Sequence, residues 1–363
     1  MTLILSNPEI EKILDMPDVL DALEDAYLEL AQGRAVTRQR SDCIVPTRRN
    51  DNAFYGLKSM DAVIPKLGVG AIRINSDVLT WPMVEGKRRR VKVPAAPNNR
   101  YVGLVLLFSS ETGEPLAIFP DGVLQRMRVG AANGLGVKYL AREDATRVGI
   151  IGSGWQAGAQ LMAVAAVRSV ERIKCWSPSK ERREAFCKDI ATRIGIDVTP
   201  VDSGEEAMRE VDIALCSTSS IEPVYFKSWI RPGVHLSSIK IAEIEPKAVE
   251  ACDRVAVHVH HDGPIVETTR GLVLPDGEHG SGKTASKRSR KKKVDVTKYP
   301  TISQLIAGEA AGRQAPEEVT CFLNNVGMGY QFAAVGASLY RTAKAKGAGR
   351  ELDTDWFTEL EHP

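Results

Sequence analysis

Val148-Gly-Ile-Ile-Gly-Ser-Gly-Trp-Gln-Ala157 decides the reading of this chain. An apolar, β-branched run ends in Gly152, Ser153 and Gly154, and an apolar helical stretch with Leu161, Met162, Val164, Ala165 and Val167 follows. Strand, tight glycine turn and helix start come in the order of a dinucleotide-binding βαβ unit. Gly152 allows the sharp turn, Gly154 lets the backbone approach a pyrophosphate, and Ala157 is small enough for the helix to pack on the strand. Ser153, Trp155 and Gln156 complete the candidate loop, where a helix N-terminus turns its N–H groups and positive dipole end toward phosphate. A glycine triplet alone would suit any tight turn; the strand before it and the helix after it favour the cofactor reading.

The next strand, 172–176, runs into Ser177-Pro-Ser179-Lys180-Glu-Arg182-Arg183. An NAD-selective site places Asp or Glu at this strand end to bind the ribose 2′-hydroxyl. Hydroxyls and cations stand here instead. Ser177, Ser179, Lys180 and Arg182 suit a 2′-phosphate, so NADP(H) is favoured, with NAD(H) as the alternative. The same residues also read as a helix N-cap, Ser179, followed by a solvated basic turn. Further cofactor contacts are assigned to Ser217, Thr218, Ser238 and Gly327.

The 363 residues suggest two domains. With 43% hydrophobic and 26% charged residues and a formal net charge of +2, the composition calls for neither a nucleic acid nor an acidic partner. Six cysteines lie far apart with no Cys-x-x-Cys pair, which reads as buried thiols in a reducing compartment. The N-terminus lacks a basic region and a long apolar core, so no signal peptide is expected. No uninterrupted apolar run is long enough to span a bilayer, and the cytoplasm is the expected location.

Helical periodicity covers 8–32, strand-like alternation covers 41–77, and 102–108 with 115–119 reads as a hairpin around Ser109-Ser-Glu-Thr-Gly113. A helix over 121–142 leads into strands near 148–151, 172–176, 211–216, 234–239 and 254–259, with helices between them. This alternation argues for an α/β, Rossmann-type doubly wound parallel sheet. Residues 320–346 read as one long helix that leaves this sheet and packs on the N-terminal half.

Three features are set aside. Gly277-Glu-His-Gly-Ser-Gly-Lys-Thr284 matches the phosphate-loop expression, but the basic stretch after it has no apolar face to pack on a sheet. Residues 275–298 read as a flexible basic insert, and the run 87–90 as a solvated surface. His258, His260 and His261 lack a carboxylate or cysteine cluster beside them, so no metal is assigned.

With both halves in view, the chain resembles the ornithine cyclodeaminase/μ-crystallin superfamily. The resemblance rests on Gly103-Leu-Val-Leu-Leu-Phe108 with Thr112-Gly113, Arg126-Met-Arg-Val-Gly-Ala-Ala132, and Gly152-Ser-Gly-Trp-Gln-Ala157. Pro232-Gly-Val-His-Leu-Ser-Ser-Ile239, Gly312-Arg313, Glu318-Val-Thr-Cys-Phe322 and Val326-Gly327 complete it. It implies an α+β substrate-binding and dimerisation domain, 1–125 with 318–363, and an NAD(P)-binding Rossmann domain over 126–317. It also implies a homodimer and a small amino or imino acid substrate held by its carboxylate. Arg128 falls at the family's arginine, Arg73 where the family usually has lysine, and Arg40 (or Arg38) less securely at an upstream arginine; Lys58 is near enough to join them. Guanidiniums clamp a carboxylate with paired charge-assisted bonds, which sets the α-carbon against a nicotinamide.

The chain departs from the cyclodeaminase pattern. Ala242, or with one gap Glu243, stands where those enzymes carry an Asp, Lys240 replaces a glycine, and Phe332 beside Gln331 replaces a later acid. Proton transfer therefore falls to Lys58, Asp77 or Glu243, with Lys58 and Glu243 carried forward. The leading expectation is an NADP(H)-dependent oxidoreductase moving hydride to or from the α-carbon of an amino or (cyclic) imino acid. The alternatives are an NAD-dependent cyclodeaminase releasing ammonia and a non-catalytic NADPH- or ligand-binding protein. The long segment 75–101 suggests a substrate larger or more anionic than ornithine.

Overall fold

The computed structural model describes residues 1–359 except 49–51, 85–86, 89–90, 221, 262, 273 and 276–293. The phosphate-loop look-alike at 277–284, most of the basic insert and part of the run 87–90 lie outside the described residues.

After β1 (Thr2–Ile4), the helical run expected over 8–32 is two helices, α1 (Asn7–Ile13) and α2 (Met16–Ala31). Asp15 accepts the Asp18 N–H at 2.9 Å and Pro17 sits in the opening turn, so a new helix start forms inside the periodic stretch. The strand region comprises β2 (Val36–Thr37), β3 (Ser41–Pro46), β4 (Ala53–Ile64), β5 (Val69–Thr80), β6 (Met83–Val84), β7 (Lys87–Arg88), β8 (Val91–Val93), β9 (Val102–Ser109) and β10 (Pro115–Pro120). Next come α3 (Asp121–Leu140), β11 (Arg147–Ile151), α4 (Trp155–Val167), β12 (Arg172–Trp176), α5 (Lys180–Ile194), β13 (Val198–Pro200), α6 (Gly204–Met208) and β14 (Ile213–Cys216). The remainder is β15 (His235–Ser238), α7 (Pro246–Glu250), β16 (Arg254–Val257), β17 (Ile265–Thr268), α8 (Ile302–Ile306), β18 (Thr320–Leu323), α9 (Gly329–Lys346) and β19 (Arg350–Leu352).

One sheet is mostly antiparallel, in the order β17-β3-β4-β5-β9-β10-β1-β19, with β2 beside β4 and β8 beside β5. The long strands β4 and β5 pair without a break from Ala53 opposite Thr80 to Ile64 opposite Val69. Their alternation sends Met60, Ala62, Ile64, Val69 and Ala71 inward, to a core shared with Leu23 and Tyr27 of α2, Leu124 of α3 and Phe332 and Val335 of α9. Further along, the same inward face turns polar, with Lys58, Arg73, Asn75 and Asp77 all buried.

The other sheet is fully parallel, in the order β13-β12-β11-β14-β15-β18-β16. It is the doubly wound sheet read from the sequence. Strand order reverses between β11 and β14, and ligands of such sheets bind in the crevice beyond the strand ends at that reversal. Helix α3 joins the two sheets, and Arg168 closes its C-terminus by donating to the Val137, Lys138 and Ala141 carbonyls.

Two placements correct the sequence reading. Residues 320–323 are strand β18, not the first turn of a helix, and the helix begins only at Gly329. Thr-Cys-Phe-Leu is buried on every side, and such a run carries no period to separate strand from helix. The expected division at 318 therefore falls ahead of a strand of the parallel sheet, while β17, from within 126–317, pairs with β3 of the other sheet. All six cysteines are free; Cys43 is exposed, because alternation along β3 turns it outward between Asp42 and Ile44. Among the described residues, no helix is long and apolar enough to cross a membrane.

Candidate active site

At the reversal of the parallel sheet, β11 runs into Gly152, whose φ of 120° is open to glycine alone in practice. A Cβ there would also collide with the Ser217 carbonyl. The Gly152 N–H donates to the Trp176 carbonyl at 2.8 Å, which ties the loop to the end of β12. Gly154 caps α4, and a Cβ on it would meet only open space. Ala157 is fully buried, as helix–strand packing requires. Around this mouth, Gln156 Oε1, Ser217 Oγ and Ser238 Oγ are buried with no hydrogen-bond partner among the described residues. Open space over Gly154, the N-terminus of α4 with the orphaned Gln156 oxygen in its first turn, and two orphaned serine hydroxyls at the strand ends fit a dinucleotide laid across the crevice. Trp155 points outward at 59% exposure, with the Arg126 guanidinium 4.2 Å from its ring.

At the end of β12, the Ser153 and Ser177 hydroxyls share a 2.7 Å hydrogen bond and Ser179 caps α5. Lys180 and Arg182 are exposed. The neighbouring Arg183 is buried instead, donating to the Ser177 carbonyl at 2.8 Å and to Asp202 at 3.0 Å. A carboxylate does stand near this strand end, but it comes from beyond β13 and is held by an arginine.

The polar end of the antiparallel sheet forms a second cluster. Asp42, Lys58, Asn75 and Gly103 lie opposite one another across four strands. Arg40 donates twice to Asp42, at 2.7 and 2.5 Å. Lys58 donates to Asp77 at 2.7 Å, and Lys92 of β8 lies 2.9 Å from the other Asp77 oxygen while donating to Asn75 Oδ1 at 3.1 Å. Burial pulls the Lys58 ammonium down to about 8, partly opposed by Asp77. Burial raises Asp77 in turn, but Lys58 and Lys92 outweigh it and hold the carboxyl below its ordinary range, so the pair stays ionised.

Arg73 binds Asp121 at 2.8 Å through Nε and 2.6 Å through Nη2. Arg128 is different. It is 4% exposed, its Nη1 and Nη2 donate to the neutral amides of Gln331 (3.0 Å) and Gln125 (2.7 Å), and its Nε has no partner. No carboxylate among the described residues bonds to it. Burial, then the charge of Arg73, loosens its hold on the proton, yet arginine remains a cation in proteins. Both guanidiniums face the Phe332 ring, Arg73 at 5.4 Å and Arg128 at 5.0 Å. Gln331 also accepts the Met328 N–H at 3.1 Å and donates to the Tyr27 hydroxyl at 3.1 Å, so α9 and α2 fix the amide that holds Arg128.

The structure thus brings Arg40, Lys58, Arg73 and Arg128 into one neighbourhood, where the charge of Arg40 acts on both Lys58 and Arg128. It does not bring Glu243 there. Glu243 is fully buried and accepts from the Thr218 N–H (2.5 Å) and hydroxyl (2.7 Å) and from the Ile239 (3.0 Å) and Lys240 (3.2 Å) N–H groups. Its oxygens brace the loops after β14 and β15, a positioning job that leaves no lone pair aimed at a reacting atom. Gly327, assigned to the cofactor, lies against Arg128; a Cβ there would strike the guanidinium. His258 is buried, with Nε2 2.7 Å from the Tyr330 hydroxyl and Nδ1 bonded to the Val326 carbonyl, while His260 is exposed and bonds to Tyr299.

Asp42, Asp121 and Lys92 were absent from the sequence reading. Asp42 had a weak signal, the alternation with Ile44 on one strand. Asp121 and Lys92 had none, since their roles depend on register with partners far along the chain.

A profile of the ornithine cyclodeaminase/mu-crystallin family matches residues 2–347. The chain is 27% identical over 356 residues to a Δ1-pyrroline-2-carboxylate reductase of Bacillus cereus, covering 97% of this chain and 99% of the relative. It is 27% identical over 365 residues to an alanine dehydrogenase of Archaeoglobus fulgidus, covering 97% and 98%. Among solved structures, the Thermococcus litoralis Δ1-pyrroline-2-carboxylate reductase in complex with NADH and L-proline superimposes with a TM-score of 0.76 at 26% identity, over 97% of this chain and all of that one.

Proposed function

The chain belongs to the ornithine cyclodeaminase/mu-crystallin family, and from that premise we propose that it is an NADP(H)-dependent oxidoreductase reducing α-imino acids, cyclic or linear, to amino acids. The observation that carries this reading is Arg128, a buried cation bonded to amides and to no carboxylate. An uncompensated buried charge is costly, and a substrate carboxylate is the missing counter-ion. Arg73 stands beside it as a second donor.

When bound, the nicotinamide supplies or accepts a hydride at the substrate α-carbon. The residues of this chain do the rest. Arg128 and Arg73 hold the carboxylate and so set the position of the α-carbon. Phe332, packed beneath both guanidiniums, keeps water from them. Lys58 gives a proton to the imine nitrogen as the C=N double bond becomes C–N, and Asp77 keeps Lys58 oriented. One hydride forms the new C–H bond and the proton from Lys58 forms the new N–H bond as the imine is reduced to the amine. Glu243, which could have replaced the acid of a cyclodeaminase, is taken up by Thr218, Ile239 and Lys240, which favours reduction over deamination.

The Ser153 and Ser177 hydroxyls, with exposed Ser179, Lys180 and Arg182, support NADPH over NADH. The test is oxidation of NADPH or NADH, followed by the reduced-nicotinamide absorbance, with Δ1-pyrroline-2-carboxylate and Δ1-piperideine-2-carboxylate. NADPH is expected to give the higher kcat/KM. Ammonia released from ornithine or lysine without net cofactor turnover overturns the proposal.

The working unit is proposed to be a homodimer. The outward face of the antiparallel sheet carries an apolar row of Ile72, Leu106 and Ile118, and beside it Ile74 opposite Leu104, with Leu104 40% exposed. A second copy is the occupant suited to this broad face. Ile74→Lys with Leu104→Lys is expected to halve the mass seen by light scattering; an unchanged mass assigns the dimer to another face.

A further inference from the structure

The charges of the substrate cluster do not cancel. Arg40, Lys58, Arg73, Lys92 and Arg128 face Asp42, Asp77 and Asp121, which leaves two positive charges without a matching carboxylate within this bonded cluster of described residues. One α-carboxylate neutralises one of them. Moving a proton from Lys58 to the imine nitrogen leaves this total unchanged. A substrate with a single acidic group therefore leaves the site positive, and one with a second acidic group closes the balance.

Lys92 is placed to meet that second group. It reaches the cluster from β8, part of the long segment that separates β5 from β9, and it pairs across the strands with Leu79. Lys58, at 2.7 Å, and Lys92, at 2.9 Å, share the single charge of Asp77, so this trio holds one cation more than it has carboxylates. The Lys92 ammonium lies 2.9 Å from Asp77 Oδ1, yet that oxygen receives no well-aligned hydrogen bond, and the directed bond of Lys92 goes to neutral Asn75. Its side chain is 43% exposed where that of Lys58 is 5% exposed, which puts Lys92 toward solvent and Lys58 at depth. Arg73, Asn75 and Asp77 follow one another on the buried face of β5, and Lys92 meets the last two, so a ligand anchored on Arg128 and Arg73 that extends along this strand is directed toward Lys92.

We propose that Lys92 is a specificity residue that binds a distal carboxylate, and that the substrate class is the α-imino dicarboxylic acids, with acidic amino acids as the reduced products. This rests on the reductase reading above and narrows it. The reaction is otherwise unchanged, the distal carboxylate being a spectator.

Isosteric pairs test it in the oxidative direction with NADP⁺: L-aspartate against L-asparagine, and L-glutamate against L-glutamine. The acid of at least one pair is expected to exceed its amide at least ~10-fold in kcat/KM, because a buried polar site rejects a partner that leaves a charge unpaired. Lys92→Gln is expected to collapse that ratio toward unity mainly through KM, Lys92→Arg to keep it, and Lys92→Glu to invert it. Equal turnover of acid and amide, or a ratio that survives Lys92→Gln, overturns the proposal. A binding measurement separates its fate from that of the reductase reading. The NADPH-loaded protein is titrated with succinate and with butyrate by calorimetry. Tighter succinate binding that vanishes in Lys92→Gln upholds the distal site even if no imine is turned over; equal binding of the two acids removes it even if cyclic imines are reduced.

Discussion

Replacing Lys58 by methionine is expected to lower kcat for imine reduction by ~10²–10⁴-fold, the usual contribution of a positioned proton donor. Methionine keeps the stem volume beside Asn75, its cross-strand neighbour, and removes only the ammonium. The pH dependence gives the sharper signature. Burial holds the Lys58 ammonium near 8, so it is protonated below that pH and deprotonated above it. Reduction needs the protonated form, so kcat/KM, which reports the free enzyme, is expected to be flat below pH 8 and to fall above it. Oxidation of the amino acid needs the free amine and is expected to rise through the same pH. Lys58→Arg keeps the charge and the bond to Asp77 but cannot release a proton in this range. It should be slow in both directions and show no step near 8. A Lys58→Met enzyme within about threefold of the parent kcat, or a step that persists in Lys58→Arg, assigns proton transfer to another group.

Arg128→Met should cost kcat/KM about 30- to 5000-fold, which corresponds to the 2–5 kcal/mol lost when one partner of a buried charge pair is truncated. The ligand-free protein should respond in the opposite sense. Arg128 is a buried cation with neutral partners and an unpaired Nε, so a methionine of similar volume leaves the resting fold at least as stable in denaturant titrations. Wild type should gain thermal stability from a carboxylate ligand in the presence of NADPH, and the variant should not. Loss of folding in Arg128→Met with activity restored by no ligand would instead identify a structural arginine. Gly327→Ala provides a second check, since its methyl group pushes on the same guanidinium.

The parallel sheet was legible because its signals are local. Gly152, Gly154 and Ala157 report a turn and a close approach within one strand and one helix, and alternating apolar runs report the rest. What failed was also local: β18 is four residues buried on all sides, and burial without a polar face erases periodicity. The substrate cluster divides the same way. Arg40, Lys58, Arg73 and Arg128 could be named from the pattern around them. Of their partners only Asp42 is local, two residues from Arg40; Asp121 meets Arg73 by folding under Gly103, and Lys92 joins Asp77 only once β8 pairs with β5. The distinction that matters chemically, that Arg73 already holds a carboxylate while Arg128 holds only amides, lies in pairings far apart along the chain.

The place of β18 between β15 and β16 has a consequence for how the protein is made. A chain emerging from the ribosome completes both neighbours long before Thr320–Leu323 appears, and until then each presents an unpaired apolar edge. The part of the parallel sheet beyond β15 thus cannot close while β15 and β16 themselves are being made. It waits for Thr320–Leu323 to slot into the gap, and a chain that stops short of them would be a client for chaperones rather than a half-working enzyme.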